Sequence, residues 1–262
     1  RFTRFGICWK RIRVIRALIN RRLSLWKNRL LSSFFLLIAV PIFIFIIISL
    51  PLKNIIRFSL TGIPYEIWVY PGLIFIISSL SIISFLYREY FELRIHGKVL
   101  RNISLSPHSK KKYIFSSLLT SSAEALVMVL ISSLLYTLFV PISFDISKIL
   151  FFSLCLLLHN FLLGNLYILI ALIIDSLALI IFATFALIFL ILFGNGFLIE
   201  FSFFPKGLDS MLGWQPLSLP FQIYQKFNAT NFIDYFLVLI IIAVNYLWTI
   251  INSYILKRKL YQ

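Results

Sequence analysis

Charge is scarce in this sequence. Only 13% of its 262 residues are Asp, Glu, Lys or Arg, 61% are hydrophobic, and the mean hydropathy is +0.98. That balance excludes a water-soluble domain of this length and makes the bilayer the solvent. Chemistry-bearing residues are also few. The histidines are His96, His108 and His159, and the chain has no HExxH, GxGxxG or phosphate-loop pattern. An intramembrane enzyme would need a compact set of His, Asp or Ser residues at one depth, and none assembles. The two cysteines, Cys8 and Cys155, are far apart and lack metal-ligand spacing, which predicts free thiols and no disulfide. Long polar linkers, Gly/Pro-rich spacers and internal repeats are missing too. Residues 1–262 therefore read as a single membrane domain with no room for a soluble module.

What is present is apolar length. A spanning helix needs about 20 apolar residues, because the hydrocarbon core is about 30 Å thick and the helix rises about 1.5 Å per residue. Such runs predict an all-α, polytopic protein with six transmembrane helices. The first three are Leu30 to Leu52, Ile67 to Tyr87, and Tyr113 to Val140, and the sixth is Tyr235 to Leu256. Residues 149–199 carry one charge, Asp175, and as one helix would be roughly 76 Å long. They must turn back, and the charge places the turn between spans four and five at Ile174 to Ser176, with Asp175 at the membrane surface.

The net charge of +16 sits beside the spans rather than on a soluble face with interleaved aromatics, which speaks for membrane topology and against a nucleic-acid partner. Of the 25 basic residues, ten lie in the N-terminal arm, seven in the loop after span two and three in the tail, with Lys53, Arg57, Lys148, Lys206 and Lys226 left for the other side. The positive-inside rule then predicts cytoplasmic N- and C-termini.

Within the arm, residues 1–29, Trp9, Ile12, Ile15, Ile19, Leu23, Trp26 and Leu30 recur at helical spacing between arginines. This predicts an amphipathic interfacial helix resting on membrane lipid, its basic face toward the headgroups. The run that follows is too long for a signal peptide and has no small-residue cleavage site, so it reads as a retained anchor.

Two connecting segments are unusual. The basic segment 88–112 is too long for a turn; Tyr90, Phe91, Leu93, Ile95, Val99, Leu100 and Ile103 give it apolar contacts, Gly97 interrupts it and Ser106-Pro107 ends it. A short helix across the membrane face would explain it, and the alternative is a loop that only sets topology. Residues 200–234 are too apolar for an aqueous loop, yet Pro205, Gly207, Gly213, Pro216 and Pro220 forbid one continuous helix. Short helices dipping into the outer leaflet, an external re-entrant segment, fit both constraints, and such backbone suggests a pathway.

Ionisable groups inside spans are costly, so Glu124 and His159 are candidate pathway residues. Glu124 is placed to line a cavity or pair with a basic residue of a neighbouring helix. An interhelical hydrogen bond is preferred to a proton relay for His159, and Asn165, Asn245 and Asn252 read as interhelical donors.

The order of these parts resembles the type-2 ATP-binding-cassette permeases, the membrane subunits of many bacterial exporters. Tyr70-Pro71-Gly72-Leu73 resembles the family's proline-glycine entry to span two, which closes on Tyr87-Arg88-Glu89. Glu92, Gly97, Leu100 and Ser106-Pro107 look like its cytoplasmic segment. Phe203-Phe204-Pro205 and Gln215-Pro216-Leu217 resemble its external region, where Asn is commoner than Gln215. The Ala-Ala of importer-type segments is missing.

The resemblance implies a transport subunit of the bacterial inner membrane. It would have no catalytic, metal or cofactor site of its own, and would pair with a second permease copy and a separate ATPase subunit holding ATP and Mg. Glu89, Phe91, Glu92, Ile95, Gly97 and Pro107 are then the candidate ATPase-coupling residues, with Phe91 and Ile95 as anchors against the partner. The substrate would be a drug, lipid, glycolipid or polysaccharide. The alternatives are an ion-coupled secondary transporter and a membrane-embedded enzyme or assembly factor. The first should show paired halves with midplane charges.

Overall fold

A computed structural model describes residues 18–24, 27, 30–59, 62–95, 109–140 and 145–260. Six of its helices are long and apolar enough to cross a membrane, and no strand occurs among the described residues beyond one isolated bridge, Phe58 with Pro64. The chain is an integral, multi-pass, all-α membrane protein.

The first crossing, α1, runs Leu30–Ile44, passes through a π-helical turn at Phe45–Ser49 and ends with Leu50–Ile55. Pro41 inside α1 lacks an N–H and disturbs the regular ladder, and the Pro41 carbonyl is taken by the Tyr136 hydroxyl at 2.8 Å. The others are α2 (Tyr65–Ile95), α3 (Lys110–Thr137), α4 (Ile146–Ile173) and α5 (Leu177–Gly194). Two short helices, α6 (Leu208–Gly213) and α7 (Leu219–Thr230), precede the last crossing, α8 (Tyr235–Leu260). Side-chain oxygens of Ser109 and Asp145 cap the starts of α3 and α4.

Helices α2 and α4 form the centre, packed on each other, with α3 and α8 against them. Most of α2 and α4 is buried, whereas only 22% of the apolar stretch of each of α1, α5 and α8 is, as in lipid-facing helices. The apolar matrix gives no hydrophobic drive between helices, so polar pairs and close packing hold the centre. Asn165, Asn245 and Asn252 form such a cluster between α4 and α8: Asn252 Nδ2 donates to Asn165 O at 2.9 Å and Asn245 Nδ2 to Leu158 O at 3.4 Å.

Three boundaries differ from expectation. Helix α2 does not end at Tyr87; it continues for 31 residues to Ile95, about 46 Å, well beyond the hydrocarbon core. Residues 88–95 of the expected coupling segment thus belong to α2 and residues 110–112 to α3, while 96–108 lie outside the described residues. The extension passes through a π-helical stretch, Tyr87–Glu92, in which three consecutive residues, Glu89, Tyr90 and Phe91, are all buried. Helix α5 stops at Gly194 instead of Ile199, because Gly196 takes a left-handed conformation, φ +74°, and breaks the run. The re-entrant segment therefore begins at Asn195. The turn between α4 and α5 falls at residues 174–176, where the lone charge placed it.

Candidate functional site

Besides the Asn165, Asn245 and Asn252 cluster, two polar centres among the described residues lie inside the bundle. The first gathers the end that carries most of the basic residues. From the helical segment 18–24, Arg22 reaches into the bundle and forks between two carboxylates: Nη2 pairs with Glu89 Oε2 of α2, and Nη1 lies 2.9 Å from Glu124 Oε2 of α3. The Tyr113 hydroxyl donates to Glu89 Oε1 at 3.0 Å, and the Phe85 ring lies 5.4 Å from the guanidinium carbon. An Arg fork suits two acceptors held apart better than a Lys point charge would. Paired in this way, both carboxylates are tolerated where a lone one would be costly.

A second knot ties the same end. Arg94 donates to the carbonyls of Leu172 at 3.1 Å and Ile174 at 2.6 Å, closing the C-terminus of α4, and pairs with Asp175 at 2.7 Å. Lys259 of α8 holds the other Asp175 oxygen at 2.8 Å. The hydrogen bond from Lys259, aided by the charge of Arg94, keeps the Asp175 carboxyl below its usual range. Ends of α2, α4, α5 and α8 thus meet at one face. Lys53 with Glu66, and Lys226 with Asp234 at 3.0 Å, are ion pairs of the opposite end.

The second centre lies toward that opposite end, where the segment from Asn195 to α7 folds back into the core. Gly72 meets the backbone of Phe197 so closely that a methyl there would overlap the Phe197 carbonyl. The Tyr65 hydroxyl holds the Leu198 carbonyl at 3.0 Å. His159, fully buried in α4, donates from Nδ1 to the Leu217 carbonyl at 3.1 Å, and its Nε2 lies 2.9 Å from Ser79 Oγ. Phe75 and Phe197 pack edge-on against the imidazole, at 5.2 and 5.5 Å, and Phe221 packs on both of these rings. Gln215 ties the same elbow to the Gly194 carbonyl and, at 2.7 Å, to Asn195 Oδ1. Residues 195–198 and 217–218 of this irregular backbone are buried in protein, the condition for its presence at membrane depth, while much of 202–216 is exposed.

Comparison of the chain with family models, curated proteins and solved structures finds no match in any of the three.

The sequence-predicted residues fall into separate places. Glu89 and Glu124 come together on one guanidinium, so Glu124 pairs with a basic residue of a neighbouring helix, the helical segment 18–24. His159 makes interhelical contacts in the other centre. Phe91 is 1% exposed, stacked on Tyr87 at 5.5 Å within the chain's own core. It offers no surface to a partner, and the expectation of an exposed anchor there is corrected. Its burial follows from the π-helical stretch that turns it inward with Glu89 and Tyr90. Ile95 is half-buried against the same core and Glu92 is exposed. Gly97 and Pro107 lie outside the described residues, as do Trp9, Ile12 and Ile15 of the amphipathic stripe. Ile19 and Leu23 of that stripe are exposed, as a lipid-facing side requires.

Sequence reasoning missed Arg22, Tyr113, Arg94 and Lys259. Arg22 was counted among the headgroup-facing arginines; the one available signal was its spacing of four from Leu18, which is also buried. Among the described residues no cluster of three His, Cys, Asp or Glu could hold a metal ion.

Proposed function

We propose that this chain is the membrane subunit of an ATP-driven exporter of the type-2 ATP-binding-cassette kind, driven by a separate ATPase chain that holds ATP and Mg. The observation that supports it best is the reach of α2. Its middle packs on the re-entrant segment through Gly72 and Phe75 and on His159 through Ser79. Its far end is fastened to the N-terminal segment and α3 through Glu89, and to the α4–α5 turn through Arg94. A displacement applied where α2 leaves the membrane is thereby delivered to a re-entrant gate at the opposite face, which is what a permease driven from one side requires.

On this reading the well-tied end and both termini are cytoplasmic, the membrane is the bacterial inner membrane, and residues 96–108 together with exposed Glu92 face the ATPase. A second permease copy completes the pathway, and the exposed apolar lengths of α1, α5 and α8 leave room for it beside lipid. The substrate class is a drug, lipid, glycolipid or polysaccharide.

The test is photo-crosslinking from a reactive residue at Arg101 in native membranes, followed by reconstitution. Crosslinking to a Walker-motif ATPase, and ATP-dependent substrate movement insensitive to ionophores, are expected. Movement that collapses with ionophore and needs no ATP would replace this reading by ion-coupled transport.

A further inference from the structure

The Arg22 cluster has the construction of a ligand site. The guanidinium is held on one edge by Glu89 Oε2 and Glu124 Oε2, and Phe85 lies 5.4 Å from its centre. These are a charge-paired fork and a cation–π wall, the two features that recognise a planar cation. Tyr113 occupies Glu89 Oε1 and leaves Oε2 free for the fork. The site also has capacity that Arg22 does not use. Among the described residues Glu124 Oε1 has no hydrogen-bond partner, and the Tyr90 ring stands 6.1 Å from that of Tyr113.

Within the described residues 18–24, Leu18 is the one buried apolar side chain, while Ile19 and Leu23 are 41% and 61% exposed. Leu18 and Arg22, one turn apart, make the inward face of the described residues 18–24.

We propose that Glu89, Glu124 and Tyr113 form a guanidinium-binding site that Arg22, a tethered ligand, keeps filled, and that takes up a free guanidinium ion once the Arg22 side chain is removed. The unsubstituted ion has three equivalent nitrogens, and its third one can serve the Glu124 oxygen that Arg22 leaves unpaired. The inference does not depend on the transport reading, and its test measures binding alone.

The experiment is a thermal unfolding titration of the full-length protein in nanodiscs. Guanidinium chloride is added at low millimolar concentration against sodium chloride at matched ionic strength. In Arg22→Ala the unfolding temperature should rise saturably by about 2–4 °C at roughly five times the dissociation constant, while the parent protein, its site already filled, stays flat. The triple variant Arg22→Ala, Glu89→Gln, Glu124→Gln should not respond. A flat titration in Arg22→Ala, an equal rise in the parent, or a response surviving in the triple variant would each overturn the proposal. Should Arg22→Ala fail to fold, Arg22→Met takes its place. It keeps an unbranched stem and removes the cation, so the same saturable rise is expected, and a flat titration there is equally fatal.

Discussion

The imidazole of His159 and the backbone carbonyl of Leu217, 58 residues apart in sequence, are joined by a 3.1 Å hydrogen bond that pins the re-entrant elbow to α4. Replacing the ring by an apolar side chain leaves the carbonyl buried and unpaired, a penalty of about 1–3 kcal/mol. His159→Leu should lower the unfolding temperature and let maleimide reach a cysteine introduced at Ser218, which is 0% exposed. His159→Gln, which keeps a donor, should lose less. Continued protection of position 218 in His159→Leu would show that the elbow is held by packing alone.

Gly72 carries the backbone contact that seats the same segment. Because the nearest neighbour of an added methyl is a backbone oxygen of Phe197, neither side can yield by changing rotamer. Gly72→Ala should destabilise the fold by about 1–3 kcal/mol. Gly213→Ala is the control, since nothing lies within 4 Å of its added Cβ, and it should be neutral in the same melt.

Phe91 and Glu92 separate core from partner surface although they are adjacent in sequence. Truncating a core Phe costs about 3–5 kcal/mol, so Phe91→Ala should reduce folded yield whether or not an ATPase is present. Exposed Glu92 should change stability by no more than about 0.5 kcal/mol when replaced by Ala. If this end of α2 meets the ATPase, Glu92→Ala lowers the amount of ATPase that co-purifies at unchanged folded yield. Full co-purification would remove Glu92 from the contact.

Asp175 gives a pH signature. Its folded-state carboxyl is held below the ordinary carboxylate range, first by the hydrogen bond from Lys259. Its stabilising effect is therefore complete above about pH 4 and fades as pH falls through the depressed value. Because 65% of the Asp175 side chain is exposed, screening holds the effect to about 1 kcal/mol or less. The stability difference between the parent and Asp175→Asn should be constant from neutral pH down to about 4 and shrink below it. A difference that grows on acidification would contradict the ion-pair account.

Six crossings, their alternation and the turn at 174–176 could be read from residues alone, because hydrophobic length and the cost of a charge in hydrocarbon act locally along the chain. Basic-residue bias likewise gathered into one set the ends that Arg94, Asp175 and Lys259 join in space. Tertiary structure decided which arginine turns inward, since the carboxylate Arg22 meets on Glu124 lies 102 residues away and its spacing from Leu18 acquires meaning only once Leu18 is seen to be buried. It also decided that Phe91 is core rather than surface, through a π-helical register that hydropathy does not encode. The depth of the re-entrant segment was settled in the same way: Gly196 ends α5 early, and Gly72 lets Phe197 approach where any other side chain would keep the two backbones apart.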